Sequence, residues 1–418
     1  MIAAADARRR GSLPLVLMLV AALFINYVDR GMIGIAAPLI KSEMALTATQ
    51  FGLAVSAFFW IYGPAQLLVG WAVDRFNAEK LLAGGVVVWG GATAATALVG
   101  GLAPLVALRM LLGLGESAAF PASSKLIARD VPPAHRGSAN AGIGAALAFG
   151  PAFGMLAGGL LMAAYGWRVL FAVFGLATLL WLLPWRRFMR DTTVEAAAGG
   201  AELPFATILR HRTLWATCIG HFTSNYGFYF LLSWLPLYLT SVRGFALAEM
   251  ATITALTFAV QGVVALAAGW GSDRLIAEGA AAPVVRKVMM VVGHVGGAIG
   301  ILGIVMVDSR AATIGWLLFT GGTMGINSVG VYLIGQTFAG PRAAGRWIGM
   351  QNFIGNFSGI IGPIVTGVIV DASGYGGAFY LTAGISAFGA LCWIFLLPRI
   401  EPIDWDAVQP ARPAPLRP

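Results

Sequence analysis

Two charged residues, Arg109 and Glu116, lie seven residues apart within the apolar stretch 102–126. In an α-helix this spacing is close to two turns, so both side chains project from one face, about 10 Å apart along the axis. A charge near the centre of a bilayer costs at least about 2.5 kcal/mol on insertion scales and by default marks a functional site. We therefore expect both residues to face a polar cavity, where an arginine can bind an anion and a glutamate can exchange a proton. The alternative is that the two charges only pair with each other or with neighbouring helices.

Two further charges, Asp29 and Arg30, lie in the first apolar run of the chain. Counted from the predicted cytoplasmic helix ends, Asp29 and Arg109 both lie about 24 Å deep and Glu116 about 13 Å deep. Asp29, Arg30 and Arg109 can therefore share one level, with Glu116 nearer the midplane. Protonation of a carboxylate in such a neutral quartet would release an arginine for an anionic substrate. A self-satisfied network with a structural role is the competing interpretation.

The composition places these charges inside a membrane protein. Of the 418 residues, 58% are hydrophobic and 11% are charged, whereas soluble domains contain about 25% charged residues. Long unbroken apolar runs exclude the alternating segments of a membrane β-barrel. The net charge of +9 lies mainly in loops, so we expect no nucleic-acid partner. Cys218 and Cys392 each lie alone in an apolar run, so we expect neither a disulfide nor a metal site.

Twelve segments contain the roughly 20 apolar residues that a membrane-spanning helix needs. They are 13–37, 50–73, 81–100, 102–124, 137–163, 167–188, 213–240, 248–271, 286–307, 311–336, 344–370 and 376–398. With the N-terminus in the cytoplasm, the cytoplasmic tails and loops hold 21 of the 27 Lys and Arg residues, which predicts that both termini are cytoplasmic. The predicted fold is an all-α membrane protein with twelve transmembrane helices in two pseudo-symmetric six-helix bundles.

The polar connection 189–212 divides the chain into two halves. We predict a cytoplasmic N-tail (1–12), an N-terminal bundle (13–188), a cytoplasmic linker (189–212), a C-terminal bundle (213–398) and a disordered cytoplasmic C-tail (399–418). The sequence VGWAVDRF at 69–76 recurs as AGWGSDRL at 268–275, and the same offset of 199 places Asn26 and Tyr27 on Asn225 and Tyr226. Two related halves with a site between them near the midplane are the architecture of secondary transporters.

This pattern resembles the major facilitator superfamily. Residues 70–75 and their repeat at 269–274 are similar to that superfamily's loop between helices two and three, although residues 76–79 replace its usual glycine and arginine. The resemblance implies a cytoplasmic gate formed by Asp74, Arg75, Asp273 and Arg274. Simple charged turns between helices are the alternative.

A narrower resemblance is to the anion:cation symporter family. It is carried by NYVDR at 26–30, Arg109, ESAAFP at 116–121 and the closing Glu401 and Pro402. Bacterial members import sugar acids such as galactonate, glucarate and hexuronates, and animal relatives carry phosphate, glutamate or sialic acid. The resemblance implies that Asp29 and Glu116 take up protons, that Arg30 and Arg109 engage the anionic substrate, and that the carrier is a monomer.

Polar side chains on other helices complete the predicted cavity. Tyr62 and Gln66 lie one turn apart on one helix face, and similar family members have a cavity-lining tyrosine at the position of Tyr62. The other predicted substrate-binding residues are Tyr27, Asn225, Tyr229, Gln261, Asn327, Tyr332, Asn352 and Asn356. Interfacial anchoring of Tyr62 and hydrogen bonding between helices are the alternatives. His221 and His294 are expected to be helix-packing donors, although a proton relay through His221 stays open.

These features predict a secondary active transporter of the inner (plasma) membrane that couples protons to symport of an organic anion. Residues 145–147 are apolar where sugar-acid carriers of the family tend to place a polar side chain, which favours a smaller or more apolar acid; a sugar acid stays open. A proton-coupled exporter or an anion exchanger of the same fold is the alternative, and a non-transporting membrane sensor is a remote one. The chain contains neither G-x-x-x-x-G-K-[ST] nor H-E-x-x-H, so we expect no enzyme, no cofactor and no metal.

Overall fold

The computed structural model describes residues 2–189 and 204–408, without side-chain detail for residues 2–11, 74, 133–138, 341–342, 406 and 408. Within these ranges the regular structure is entirely helical. The helices are α1 (Ile2–Glu43), α2 (Ala48–Arg75), α3 (Ala78–Thr96), α4 (Leu102–Glu116), α5 (Ala119–Asp130), α6 (Pro133–Tyr165), α7 (Trp167–Leu180), α8 (Leu182–Trp185), α9 (Phe205–Leu209), α10 (Arg212–Ser241), α11 (Leu247–Ala277), α12 (Ala282–Met306), α13 (Arg310–Ser373), α14 (Tyr375–Phe395) and α15 (Trp405–Val408).

Ten segments of the described ranges are long and apolar enough to cross a membrane by length and composition. The helices α4 and α5 together make one of them, and α13 contributes two, Arg310–Gly340 and Ala343–Ser373, which we call its first and second halves. The chain divides α13 at Gly340, whose φ of 59° is a backbone conformation that favours glycine. With α3 (19 residues) and α10 (30 residues) the helices make the twelve predicted crossings.

Local sequence explains several helix boundaries. The helix α2 begins with a capping box, in which the Thr47 side chain accepts from the Gln50 backbone and the Gln50 side chain accepts from the Thr47 backbone. The Asn77 side chain caps α3 by accepting from the Lys80 backbone N–H. The first helix begins at Ile2, so the described part of the predicted N-tail 1–12 is helical and continuous with the first candidate crossing, which begins at Ser12. Alanine and arginine dominate that stretch and are strong helix formers.

The predicted linker and C-tail are also partly ordered. Ile208 of α9 is fully buried in a hydrophobic cluster on the C-terminal bundle. Trp405 is 4% exposed, and its indole N–H donates to the Ala339 carbonyl at 2.8 Å. Part of the tail that was predicted to be disordered, residues 399–408, thus packs on the C-terminal bundle through Ile400 and Trp405. Residues 190–203 and 409–418 lie outside the described residues.

The two halves repeat a structural detail at the predicted offset of 199. The Arg75 guanidinium lies 4.3 Å from the ring centre of Trp71, and the Arg274 guanidinium lies 5.7 Å from that of Trp270. Both pairs are one helical turn apart at the end of α2 or α11. This correspondence supports the internal repeat read from the sequence.

The halves pack through α1 against α10, α2 against α13, and α6 against α11. We call the membrane side of the Glu43–Ala48 connection the far side and the opposite one the tail side. Near the far side the backbones touch, because a Cβ added to Gly34 would overlap the Leu232 carbonyl oxygen and one added to Gly52 would overlap that of Pro363. On the tail side, a Cβ added to Gly345 or Gly349 of α13 would meet nothing within 4 Å. The seal between the halves is therefore tight at the far side.

Candidate functional site

Arg30 of α1 and Glu116 at the end of α4 form a buried ion pair. The Arg30 Nε donates to the Glu116 Oε2 at 3.0 Å, and the two residues are 7% and 0% exposed. The guanidinium carbon of Arg30 lies 4.7 Å from the ring centre of Tyr27, 4.6 Å from that of Tyr62 and 5.3 Å from that of Phe58. The Arg30 Nη2 and the Glu116 Oε1 have no hydrogen-bond partner among the described residues. An aromatic cage thus holds a cation whose bonding capacity is only partly used.

Arg109 of α4 lies near the same phenylalanine. Its guanidinium carbon is 5.1 Å from the Phe58 ring centre, and the residue is buried. It lies within electrostatic range of Glu116, Arg30 and Asp29. Its Nε has no hydrogen-bond partner within the described part of the chain. Two buried arginines therefore lie near one aromatic ring, each with an N–H group open to an acceptor.

Asp29 points in a different direction from Arg30. Its Oδ2 accepts a long hydrogen bond of 3.5 Å from the Thr93 hydroxyl of α3, and the residue is 1% exposed. Successive side chains in an α-helix project about 100° apart, so Asp29 and Arg30 cannot share one face of α1. Asp29 therefore faces α3, while it remains within electrostatic range of Glu116 and Arg109.

Two hydrogen-bonded groups in the C-terminal half contain most of the other predicted residues. The Tyr332 hydroxyl donates to the Asn352 Oδ1 at 3.0 Å, and the Asn352 Nδ2 donates to the Gln66 Oε1 of α2 at 3.1 Å. The Tyr229 hydroxyl donates to the Asn356 Oδ1 at 2.8 Å, while the Asn356 Nδ2 donates to the Asn352 carbonyl at 2.9 Å. These bonds join α2, α10 and both halves of α13 into one polar wall.

Tyr332 is the most exposed aromatic residue of this polar wall. Its ring lies 5.0 Å from that of the buried His221 in α10, yet Tyr332 is 39% exposed. The His221 Nδ1 has no hydrogen-bond partner among the described atoms. Asn225 and Gln261, also predicted to bind substrate, are half-buried.

Asn327 belongs to a separate polar cluster inside the C-terminal bundle. Its Nδ2 donates to the Ser224 hydroxyl at 3.1 Å. Nearby, the His294 Nε2 lies 3.0 Å from the Thr223 hydroxyl and its Nδ1 lies 2.9 Å from the Met290 carbonyl. These contacts are those of a histidine that packs between helices, and the bond to Ser224 joins Asn327 to α10.

The predicted gate residues lie at the tail-side ends of α2 and α11. The Arg274 Nε donates to the Glu278 Oε1 of the same helix at 2.8 Å. Arg75 and Asp273 are exposed, and the side chain of Asp74 lies outside the described residues. A gate role for these four residues stays a prediction.

A charged contact beside the loop between α2 and α3 was not predicted from the sequence. The Arg129 Nη2 at the end of α5 donates to the buried Glu79 Oε1 at 2.5 Å and to the Asp130 Oδ2 at 2.7 Å. The Trp185 indole N–H also donates to the Glu79 carbonyl at 3.1 Å. Glu79 lies where the loop departs from the superfamily pattern, and that departure was the available signal.

Several residues around the buried ion pair were also not singled out. The Phe58 ring centre lies within 5.3 Å of the guanidinium carbons of both buried arginines, and the Phe59 ring lies 4.6 Å from that of Tyr229 across the two halves. Asn26 is fully buried, with both amide atoms unpartnered within the described chain. Asn26 was visible in the NYVDR motif, whereas the aromatic pair carried no signal beyond its hydrophobicity.

The amino-acid sequence of this chain is similar to those of known transporters. The Major Facilitator Superfamily profile matches residues 19–363 and 285–418. The chain is 33% identical over 432 aligned residues to the "Hexuronate transporter" of Bacillus subtilis, covering 96% of this chain and 99% of that protein. It is 30% identical to the "Probable sulfoacetate transporter SauU" of Cupriavidus necator, covering 90% and 92% of the two chains. It is 28% identical to the "Ascorbate transporter, chloroplastic" of Arabidopsis thaliana, covering 91% and 73%.

Solved structures share the same fold. A bacterial homologue of the human lysosomal transporter Spinster, in an inward-facing and occupied conformation, superposes with a TM-score of 0.81 at 17% identity. The match covers 91% of this chain and 96% of that one. The predicted all-α membrane fold of two six-helix bundles is thereby confirmed.

Proposed function

The chain belongs to the major facilitator superfamily, and we propose that it is a proton-coupled symporter that imports an organic anion by alternating access. The relatives named above are transporters rather than enzymes. The observation that carries the proposal is the buried Arg30–Glu116 pair, in which the arginine keeps an N–H group free of any described partner. The names of the three relatives, for hexuronate, sulfoacetate and ascorbate, support an organic anion as the substrate class.

The ion pair suits an exchange between a proton and a substrate. When Glu116 is ionised, it neutralises Arg30 and competes with any incoming carboxylate. A proton that binds Glu116 removes this competitor, so the substrate carboxylate takes the Arg30 N–H groups in charge-assisted hydrogen bonds. After the carrier turns inward, proton loss restores the Arg30–Glu116 pair and displaces the anion. Binding of proton and substrate is therefore mutually favourable.

Arg109 and Asp29 have supporting roles in this proposal. Arg109 supplies a second cation near the Phe58 ring and offers its Nε to the substrate or to a water. Asp29 is a second proton site that contacts α3 through Thr93. The rest of the substrate contacts the Tyr332, Asn352 and Asn356 wall and the half-buried Asn225 and Gln261.

The membrane orientation belongs to the same proposal. The Lys and Arg distribution favours cytoplasmic tails, so the far side faces outward. The contacts of Gly34 and Gly52 across the halves then form the closed outer gate, and the structure corresponds to an inward-facing carrier. The gate residues Asp74, Arg75, Asp273 and Arg274 close the opposite side in the outward-facing state, and the carrier works as a monomer.

Transport by purified protein in proteoliposomes tests the proposal, with a panel of hexuronates, sulfonates and aromatic carboxylates as substrates. The variant Glu116→Gln should lose accumulation driven by a pH gradient while retaining counterflow exchange. Glu249→Gln, which removes an exposed carboxylate outside the proposed site and gate, is the matched control and should accumulate substrate normally. Accumulation by Glu116→Gln at the wild-type level would reject the coupling role of Glu116.

A further inference from the structure

The two halves are joined at the far side by a carboxylate. Asp371, near the end of α13, accepts from the backbone N–H of Ala48 at 2.9 Å through Oδ1 and from that of Thr49 at 2.8 Å through Oδ2. The Thr49 hydroxyl also donates to the Asp371 Oδ2 at 2.6 Å. Ala48 and Thr49 form the first turn of α2, which belongs to the other half.

Asp371 accepts hydrogen bonds from backbone N–H groups of α2 that have no acceptor within their own helix. The first backbone N–H groups of an α-helix have no partner within the helix, and its N-terminus favours a negative charge. In α2 the Gln50 N–H is capped by Thr47 of the same half, whereas Ala48 and Thr49 depend on Asp371. The only partner that these two groups have in the described chain is therefore lost whenever the halves separate.

The carboxylate lies within the far-side seal. A Cβ added to Gly367, four residues before Asp371, would come 2.5 Å from the Ala48 carbonyl oxygen. Lys41 of α1, on the same half as α2, lies within electrostatic range of Asp371. On the tail side, α2 and α13 are joined by the neutral Gln66–Asn352 bond of 3.1 Å. The charged contact is thus on the side that has to open for substrate to enter from outside.

We propose that Asp371 is the latch of the outer gate, a positioning residue that holds the N-terminus of α2 and favours the inward-facing state. The inference rests on the proposed alternating access but not on proton coupling or substrate identity. A contact present in one of two states biases their equilibrium by its free energy. Because Asp371 is exposed and its interactions are screened by solvent, we expect its loss to raise the ratio of outward- to inward-facing molecules about fivefold.

Double electron–electron resonance on full-length protein in nanodiscs measures this ratio. Nitroxides at Ser42→Cys, at the exposed far-side end of α1, and at Ser241→Cys, at that of α10, report the distance between the halves. The buried natural cysteines Cys218 and Cys392 are replaced by alanine in every sample. The distance measurement needs no substrate. Unchanged distances would therefore contradict the latch, whereas a negative transport assay would contradict only the proposed function.

Two variants and one control test whether Asp371 holds the outer gate closed. Asp371→Ala should raise the ratio of the long-distance to the short-distance population about fivefold. Thr49→Val, which removes only the hydroxyl bond, should raise this ratio less. The control is Asp308→Ala, because Asp308 is an exposed far-side carboxylate whose described ion pair, Arg243 at 4.0 Å, lies in its own half. Unchanged distances in both Asp371→Ala and Thr49→Val, or an equal shift in Asp308→Ala, would overturn the proposal. Thr49→Val keeps the test valid if Asp371→Ala does not fold.

Discussion

The Nε of Arg30 donates a 3.0 Å hydrogen bond to the Oε2 of Glu116, joining the first and fourth membrane crossings inside an aromatic cage. Both partners retain an atom without a described hydrogen-bond partner, the Arg30 Nη2 and the Glu116 Oε1. A buried charge pair contributes little to stability unless its remaining bonding groups are satisfied. This incomplete pair is therefore better suited to exchange partners than to hold helices together.

Substrate affinity should depend on pH through Glu116. In the proposed mechanism the anion binds the form in which Glu116 is protonated, so affinity rises as the pH falls. One linked proton changes Kd about tenfold per pH unit above the carboxyl's titration range. The slope of log Kd against pH, measured by isothermal titration calorimetry in detergent, should fall by about one in Glu116→Gln. An unchanged slope in that variant would assign the linked proton elsewhere.

The guanidinium of Arg30 should be needed for its shape as well as its charge. Lysine keeps the charge in Arg30→Lys but loses the planar group that lies between the rings of Tyr27 and Tyr62 and presents paired N–H groups. We expect binding to weaken roughly 10- to 100-fold, as for the loss of one hydrogen bond to a charged group. Arg310, an exposed arginine that lies 4.4 Å from the Phe245 ring centre and outside the proposed site and gate, supplies the control Arg310→Lys, whose affinity should match the wild type. Wild-type affinity in Arg30→Lys would remove Arg30 from the binding site.

Asp29 should change the number of coupled protons without changing exchange. The variant Asp29→Asn keeps the side-chain size and an oxygen for the Thr93 hydroxyl, but it cannot gain a proton. We expect normal counterflow and one proton fewer per anion, measured from the substrate gradient that just balances an imposed pH gradient. Thr93→Val, which removes the hydrogen bond but keeps the carboxylate, should retain the wild-type ratio. A normal ratio in Asp29→Asn would contradict the second proton site.

Trp405 should stabilise the C-terminal bundle. Its buried ring and its bond to the Ala339 carbonyl attach the segment after α14 next to the break at Gly340. Truncation in Trp405→Ala should cost about 3 kcal/mol and lower the melting temperature in detergent by several degrees. Trp270→Ala, at a residue that is largely exposed, should change it little. Equal melting temperatures for the two variants would show that the segment contributes no stability.

Much of the architecture could be predicted from hydrophobicity and charge alone. Apolar runs long enough to cross a bilayer gave the twelve crossings, and the offset of 199 between the two Trp-Arg turns is matched by equivalent contacts in both halves. Helix ends were less predictable. Residues 399–408 pack on the C-terminal bundle because Trp405 is buried and bonds to Ala339. These two residues are 66 positions apart, and composition does not reveal such a contact.

Residue type predicted which ionisable side chains belong to the candidate site, but not which of them bond to each other. The cost of charge in a membrane identified Asp29, Arg30, Arg109 and Glu116 from residue type alone. Depth along the helices contains no information on rotation about the helix axis, so the hydrogen bond of Asp29 to Thr93 of α3 could not be predicted. Its electrostatic interaction with Arg109 agrees with the predicted depths.

The amino-acid order by itself determined that this chain crosses the membrane repeatedly, that its halves are related, and that four ionisable side chains lie at depths where lipid cannot solvate them. The tertiary structure alone decided that Arg30 bonds Glu116 and that Asp371 caps a helix of the opposite half. The physical reason is that hydrophobicity and charge are properties of single residues, whereas hydrogen bonds need two groups within about 3 Å in the right direction. Residues separated by 86 and 323 positions meet those conditions only through helix packing.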